Sequence, residues 1–102
     1  PPFCDLVQLT LTADDERELC SASEKLKSAT LEKMSGKYSS MPFVAFGPFE
    51  AQVYKLNDKY RTRMIIKCKL NGMSRQMFSE LLSEFANVRG ATLSIDLNPL
   101  TV

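Results

Sequence analysis

The chain has 102 residues, 44% hydrophobic and 25% charged side chains and a formal net charge of +1, the composition of one globular domain. No run approaches the ~18–20 apolar residues that span a bilayer as a helix, and no basic-then-apolar leader opens it, so a cytoplasmic protein is expected. Cys4, Cys20 and Cys68 are too scattered for a disulfide framework or zinc spacing, and histidine is absent. The start at Pro1-Pro2-Phe3, without methionine, predicts a fragment of something larger or a processed start.

In chain order, Phe3 to Thr12 predicts the first strand, with Val7, Leu9 and Leu11 alternating with Gln8, Thr10 and Thr12. Asp14-Asp15-Glu16 suits a helix N-terminus, and a helix is predicted from about Asp14 to Met34. Leu19, Ala22, Leu26 and Ala29 form its apolar stripe, and Lys33 and Gly36 mark its end. Ser35 to Pro42 is a polar loop. Met41 to Phe46 starts a second strand, bent at Gly47-Pro48, with a short strand from Gln52 to Leu56 before the turn Asn57-Asp58-Lys59. From Tyr60 to Leu70 the alternation is clean. Tyr60, Thr62, Met64, Ile66, Cys68 and Leu70 suit a core; Arg61, Arg63, Ile65, Lys67 and Lys69 form a solvated cationic face. A second helix is predicted with Ser74 as N-cap and Met73 and Phe78 as a hydrophobic staple. Met77, Phe78, Leu81, Leu82 and Phe85 form its buried face, and Arg89-Gly90 ends it. Ala91 to Asn98 is the last strand, stopped by Pro99.

The order strand, helix, strand, strand, helix, strand predicts an α+β fold of the split βαβ type: a four-stranded antiparallel sheet with both helices on one face. Strands one and three would be central. The open face would carry Gln8, Thr10, Arg61, Arg63, Lys67, Thr92, Ser94 and Asp96. From Lys55 to Lys69 there are six cations (Lys55, Lys59, Arg61, Arg63, Lys67, Lys69) and one anion, Asp58, while the rest is net acidic. That asymmetry suits a local anionic partner or, equally, a solvated strand face.

Fold alone does not give function. The central strands lack the outward aromatics of an RNA-recognition domain, and there is no Walker sequence, Gly-rich nucleotide loop or nucleophile with a partner histidine. Asp14 with Asp15, and Glu80 with Glu84, read as solvated acids on helix surfaces. No catalytic residue, metal ligand or cofactor site is expected in this chain.

Three segments in order, Pro1-Pro2-Phe3, then Gly47-Pro48, Ala51 and Lys59-Tyr60-Arg61, then Ile95-Asp96-Leu97-Asn98-Pro99, resemble the C-terminal domain of the bacterial replication-restart helicase, primosomal protein N′ (PriA). The resemblance covers essentially the whole chain. Asn98 stands where relatives carry aspartate and Leu93 where some carry tryptophan. The resemblance implies a single C-terminal accessory domain, similar to a small-subunit ribosomal protein. Its parent would be an ATP-dependent 3′→5′ DNA helicase, with ATP/Mg and zinc bound upstream of this chain. Implied partners are branched or single-stranded DNA, the parent's own helicase core and the acidic tail of single-stranded-DNA-binding protein, but no membrane. Arg75 matches the basic residue that holds that tail; Ser79 stands where relatives can carry glutamine.

Two functions follow as expectations. In the first, Arg61, Arg63, Lys67 and with them Lys55, Lys59 and Lys69 meet DNA phosphates without reading sequence, and Tyr54 or Tyr60 could stack a base, though Tyr60 is in phase with the core. In the second, the domain is a protein-interaction module that docks on the helicase core and on an acidic tail through Arg75, without DNA contact.

Overall fold

A computed structural model of the chain describes residues 5–41, 43–46, 54–56 and 58–98. β1 (Asp5–Ala13) is one of the two interior strands. It pairs antiparallel with β4 (Lys59–Cys68) on one side and with β5 (Ala91–Leu97) on the other. Across the sheet Val7 faces Ile66 and Leu97, Leu9 faces Met64 and Ile95, and Leu11 faces Thr62 and Leu93. The period-two alternation thus builds one continuous, mostly apolar face. Two helices cover it: α1 (Glu16–Ser35) through Leu19, Ala22 and Leu26, and α2 (Gly72–Phe85) through Met77, Phe78, Leu81 and Phe85. The architecture is α+β with an antiparallel sheet.

The sheet order is β2–β4–β1–β5, with a fifth strand, β3, also on β4. The expected four strands are therefore five. β2 (Phe43–Phe46) and β3 (Tyr54–Leu56) follow one another along the same edge of β4. Seven residues separate Phe46 from Tyr54, but only three separate their partners Ile65 and Arg61, so the two cannot form one ladder. Leu56 pairs with Lys59, leaving a two-residue turn in which Asp58 takes φ 63°, the left-handed geometry of a tight hairpin. The expected strand positions Phe3, Cys4, Gln52 and Val53, and the Gly47-Pro48 bend, lie outside the described residues.

Helix α1 starts behind Asp15, whose carboxylate accepts from the Arg17 amide at 2.7 Å, and Gly36 stands at its C-cap. Helix α2 starts earlier than Ser74. Asn71 is the N-cap: its side chain accepts from the Ser74 amide at 2.9 Å, and the Ser74 hydroxyl accepts from the Asn71 amide at 2.9 Å. Ser74 completes this capping box from the third helical position and donates to the Lys69 carbonyl at 2.8 Å. Asn caps as well as Ser, so Asn71-Gly72 opens the helix rather than breaking the chain.

The loop after α1 is less polar than its sequence suggests. Tyr38 and Met41 are buried in the core. Lys33 and Lys37 hold the loop side of α1 against α2, through Glu84 and Glu80 at 2.6 Å each. The Lys37 ammonium, bonded directly to Glu80, is the chief cause that holds the Glu80 carboxyl down at about 2; partial burial opposes it. Lys33 is held above the ordinary lysine value: burial lowers it, but its bonds to Glu84 and Glu80 outweigh that.

Candidate nucleic-acid interface

The register assigns the other sheet face without ambiguity. Gln8, Thr10 and Thr12 on β1 stand opposite Ile65, Arg63 and Arg61 on β4 and opposite Asp96, Ser94 and Thr92 on β5. Lys67 joins them opposite Leu6. Neither helix packs here, so Arg61, Arg63 and Lys67 form a row of cations on the face that the helices do not cover. This face is not fully wet. Arg61, Arg63 and Lys67 are half-buried, and Thr10 and Ile65 are buried. Ile65 is flanked at i±2 by Arg63 and Lys67, long side chains whose stems shield apolar surface while their heads stay wet.

Two polar atoms on this face lack a partner. Gln8 Oε1 and Arg61 Nε are buried without a hydrogen bond. The Arg61 guanidinium makes one long contact, from Nη1 to Thr12 Oγ1 at 3.4 Å. Buried donors are ordinarily satisfied, so a half-engaged guanidinium is an open valence for an acceptor.

Of the other expected phosphate contacts, Lys59 shares the face of the row, while Lys55 and Lys69 do not join it. Lys55 pairs opposite Tyr60 on the helix-facing side, with its ammonium 5.4 Å from the ring centroid. Tyr60 packs against the core, which removes it as a stacking platform. Lys59 is at the hairpin end of β4, paired with Asp14 at 2.6 Å. Lys69 lies past the end of β4 beside Asp5. The period-two argument places Lys59 with Arg61, Arg63 and Lys67; it does not extend to Lys69, past the end of β4, or to Lys55, on the neighbouring strand β3.

Arg75 belongs to a different feature. It lines an apolar groove of about 240 Å³ between α2 and β5, with Phe78, Ser79, Leu82, Ile95 and Leu97. Arg75 is the fourth helical residue rather than the first, and its amide already donates to Asn71 O at 3.0 Å. Only the Gly72 and Met73 amides remain to converge with it on an anion. Leu82, expected to be buried, is 42% exposed, and Leu97 is 41% exposed. The reason is that β5 is the sheet edge, so the flank of α2 overhangs it. The signal was present in the sequence: Arg75, Phe78, Ser79 and Leu82 recur at helical spacing on one flank.

At the same end, Asp5 is held below the ordinary carboxylate value. The Leu70 amide is the main cause and the Asn98 side chain the next, with Arg75 and Lys69 adding their charge. Asn98 itself takes φ 49° and clamps β5 to β1. Its Oδ1 accepts from the Leu6 amide at 3.0 Å, while its Nδ2 donates to Asp5 at 3.2 Å.

A family model described as the primosomal protein N C-terminal domain matches residues 1–100. The chain belongs to that family. This ties it to the primosome and to replication restart. None of the curated proteins searched matches it. Similar solved structures include the de novo designed protein Foldit4, at 11% identity and TM-score 0.61, covering 94% of this chain and 97% of that one. A de novo designed protein with ferredoxin fold, LFR1 1, is 15% identical with TM-score 0.59, covering 98% of this chain and 88% of that one. A dimeric ferredoxin-like protein from an uncultured marine organism is 12% identical with TM-score 0.51, covering 97% and 96%. At such identities these likenesses show the fold, which is ferredoxin-like. Among the described residues no helix is long and apolar enough to cross a membrane.

Proposed function

We propose that this chain is the DNA-binding accessory domain of a replication-restart helicase, holding the phosphate backbone on its uncovered sheet face. The observation that carries this reading is the register that aligns Arg61, Arg63 and Lys67 on the face left bare by both helices. Three cations on a sheet face neutralise phosphates without touching base edges, which gives binding that is salt-dependent and indifferent to sequence. Unwinding by ATP hydrolysis, and the zinc of the parent, are assigned in this reading to regions outside this chain, which works in the cytoplasm beside its own helicase core. Branched DNA suits the arrangement as well as a single strand does.

The test is a salt titration with single-stranded, forked and duplex DNA. With about three to four phosphates neutralised, the log–log slope on single strands is expected near −2 to −3. Arg63→Ala with Lys67→Ala should flatten it by roughly 1.4. An unchanged slope would move DNA off this face.

The groove at Arg75 supports a second, compatible role as the seat for the acidic tail of single-stranded-DNA-binding protein. Arg75 supplies a guanidinium for a carboxylate, and Phe78, Leu82, Ile95 and Leu97 supply an apolar wall for a terminal side chain. Ser79, one turn after Arg75, lines the same groove. Arg75→Glu should abolish binding of a peptide copying that tail and leave the DNA salt slope intact. Full retention of peptide binding would rule the groove out.

A further inference from the structure

At the opposite end of the sheet from Arg75 lies a cleft of about 590 Å³. Its polar wall is Thr12, Arg61, Thr92 and Ser94, and its apolar wall is Ala86, Val88 and Ala91, carried by the α2–β5 connection and the start of β5. We propose that this cleft binds one nucleotide unit of a single strand, phosphate toward Arg61 and sugar or base against the apolar wall. The proposal rests on the DNA reading only in sharing Arg61 with it.

Four observations converge. First, Arg61 Nε is buried without a partner, and its one hydrogen bond, to Thr12, is long at 3.4 Å. A guanidinium edge with an unmet N–H favours an acceptor that presents two oxygens to its fork, which a phosphate provides. Second, the hydroxyls of Thr12 and Thr92 stand in register with Arg61 across three strands, and Ser94 is two residues along β5 from Thr92. Hydroxyl donors therefore surround the place where phosphate oxygens would sit.

Third, the local charge is unbalanced in favour of an anion. Asp14 lines the cleft, but it is paired with Lys59 at 2.6 Å, and the Glu18 carboxylate stands behind Gly90 rather than in the lining, which leaves Arg61 as the cation that faces the cleft. Fourth, the volume lies within the roughly 300–1,000 Å³ typical of pockets for compact organic ligands. That is more than a bare phosphate needs. Gly90 at the cleft's edge takes φ 78°, and an added Cβ there would meet the Glu18 carboxylate, so the connection that forms this wall has a single backbone path.

The test follows backbone amide shifts of the chain during titration with a deoxynucleoside 5′-monophosphate, the matching deoxynucleoside, inorganic phosphate, and an oligothymidine carrying a 5′-phosphate. The monophosphate is expected to shift Gly90, Ala91 and Thr92, and the nucleoside is expected to shift none of them. Arg61→Lys keeps the charge but loses the fork, and should weaken nucleotide binding roughly tenfold. Thr12→Val with Ser94→Ala should weaken it as well. Arg63→Ala with Lys67→Ala should leave it unchanged while lowering oligonucleotide affinity.

Tighter binding of the oligonucleotide than of the monophosphate identifies a strand rather than a free nucleotide as the natural occupant. Free monophosphate binding as tightly as the strand would overturn that part of the proposal. Shifts of the same size with inorganic phosphate alone would overturn the nucleotide assignment. If the monophosphate leaves Gly90 to Thr92 unmoved while DNA binding still depends on Arg63 and Lys67, the cleft is wrong and the DNA face stands. The spectra also report folding of every variant, so a misfolded protein is not mistaken for lost binding.

Discussion

Thr62, Met64, Ile66 and Cys68 enter the core from one side of β4, while Arg61, Arg63 and Lys67 alternate with them on the other. Both sets lie on the same ten-residue strand, yet they have different neighbours. The first side meets two helices and is excluded from water; the second meets none and stays half-buried. The difference teaches that charge on a central strand is tolerated when the covering layer is one-sided, because no helix seals the cationic side from water. It also separates stability from the proposed DNA binding along a single strand, and that separation can be broken or sharpened by mutation.

The largest effect is expected on the covered side. Ile66→Ala should cost ~2–4 kcal/mol in urea denaturation, as a large-to-small change at a fully buried site. Arg63→Ala, on the same strand, should cost less than about 0.5 kcal/mol and change only the DNA salt slope. Equal losses for the two would erase the contrast between the faces.

A smaller loss is expected where the covered side is closed at its border. Asn98 donates to Asp5 and accepts from Leu6 at once, which an amide can do and an ionised carboxylate cannot. Asn98→Asp, the residue that the family resemblance leads one to expect, would set two carboxylates 3.2 Å apart. The melting temperature should fall at neutral pH, and the deficit should shrink under acid, where one of the two is protonated. A deficit independent of pH would mean that geometry rather than charge is responsible.

The smallest effect is expected at the outer surface of the helix layer. Glu80 sits at about 2 against an ordinary 4.5, chiefly through the Lys37 ammonium. Because the folded value is depressed, its stabilisation is complete above the unfolded value and is lost as pH falls from about 4.5 toward 2. Glu80→Gln should therefore lower the melting temperature at pH 6 and make no difference near pH 2. A gap that persists in acid would assign the stabilisation to something other than the Lys37 pair.

Much of this was legible in the chain. The alternation in β1, β4 and β5 reports a sheet with one covered face, and that period cannot survive a shift of one residue. Arg61, Arg63 and Lys67 were legible for the same reason. What was hidden depended on partners that sequence does not display. Tyr38 and Met41 sit among polar neighbours, and only the return of the loop across α2 buries them. The Asn71-Gly72 pair carries a turn signal that the capping box overrides, which moved Arg75 by three helical positions. Leu82 fits the apolar stripe of α2, but the sheet ends at β5 before reaching it. The cleft around Arg61 draws on the hairpin end of β4, on β1 and β5 and on the α2–β5 connection, segments far apart in the chain.

The central place of β1 also has a kinetic side. The first strand of the sheet along the chain depends on β4 for one edge and on β5, the last strand, for the other. The bonds between Asn98 and Leu6 join residues 92 apart. Chains with so many distant pairings close their loops before they are rewarded for it, and such folds form more slowly than helical bundles do. A chain interrupted before residue 91 would leave Val7, Leu9 and Leu11 on an open edge. During synthesis β1 therefore emerges first and gains its second neighbour last, and for that interval its apolar side is what a chaperone would meet.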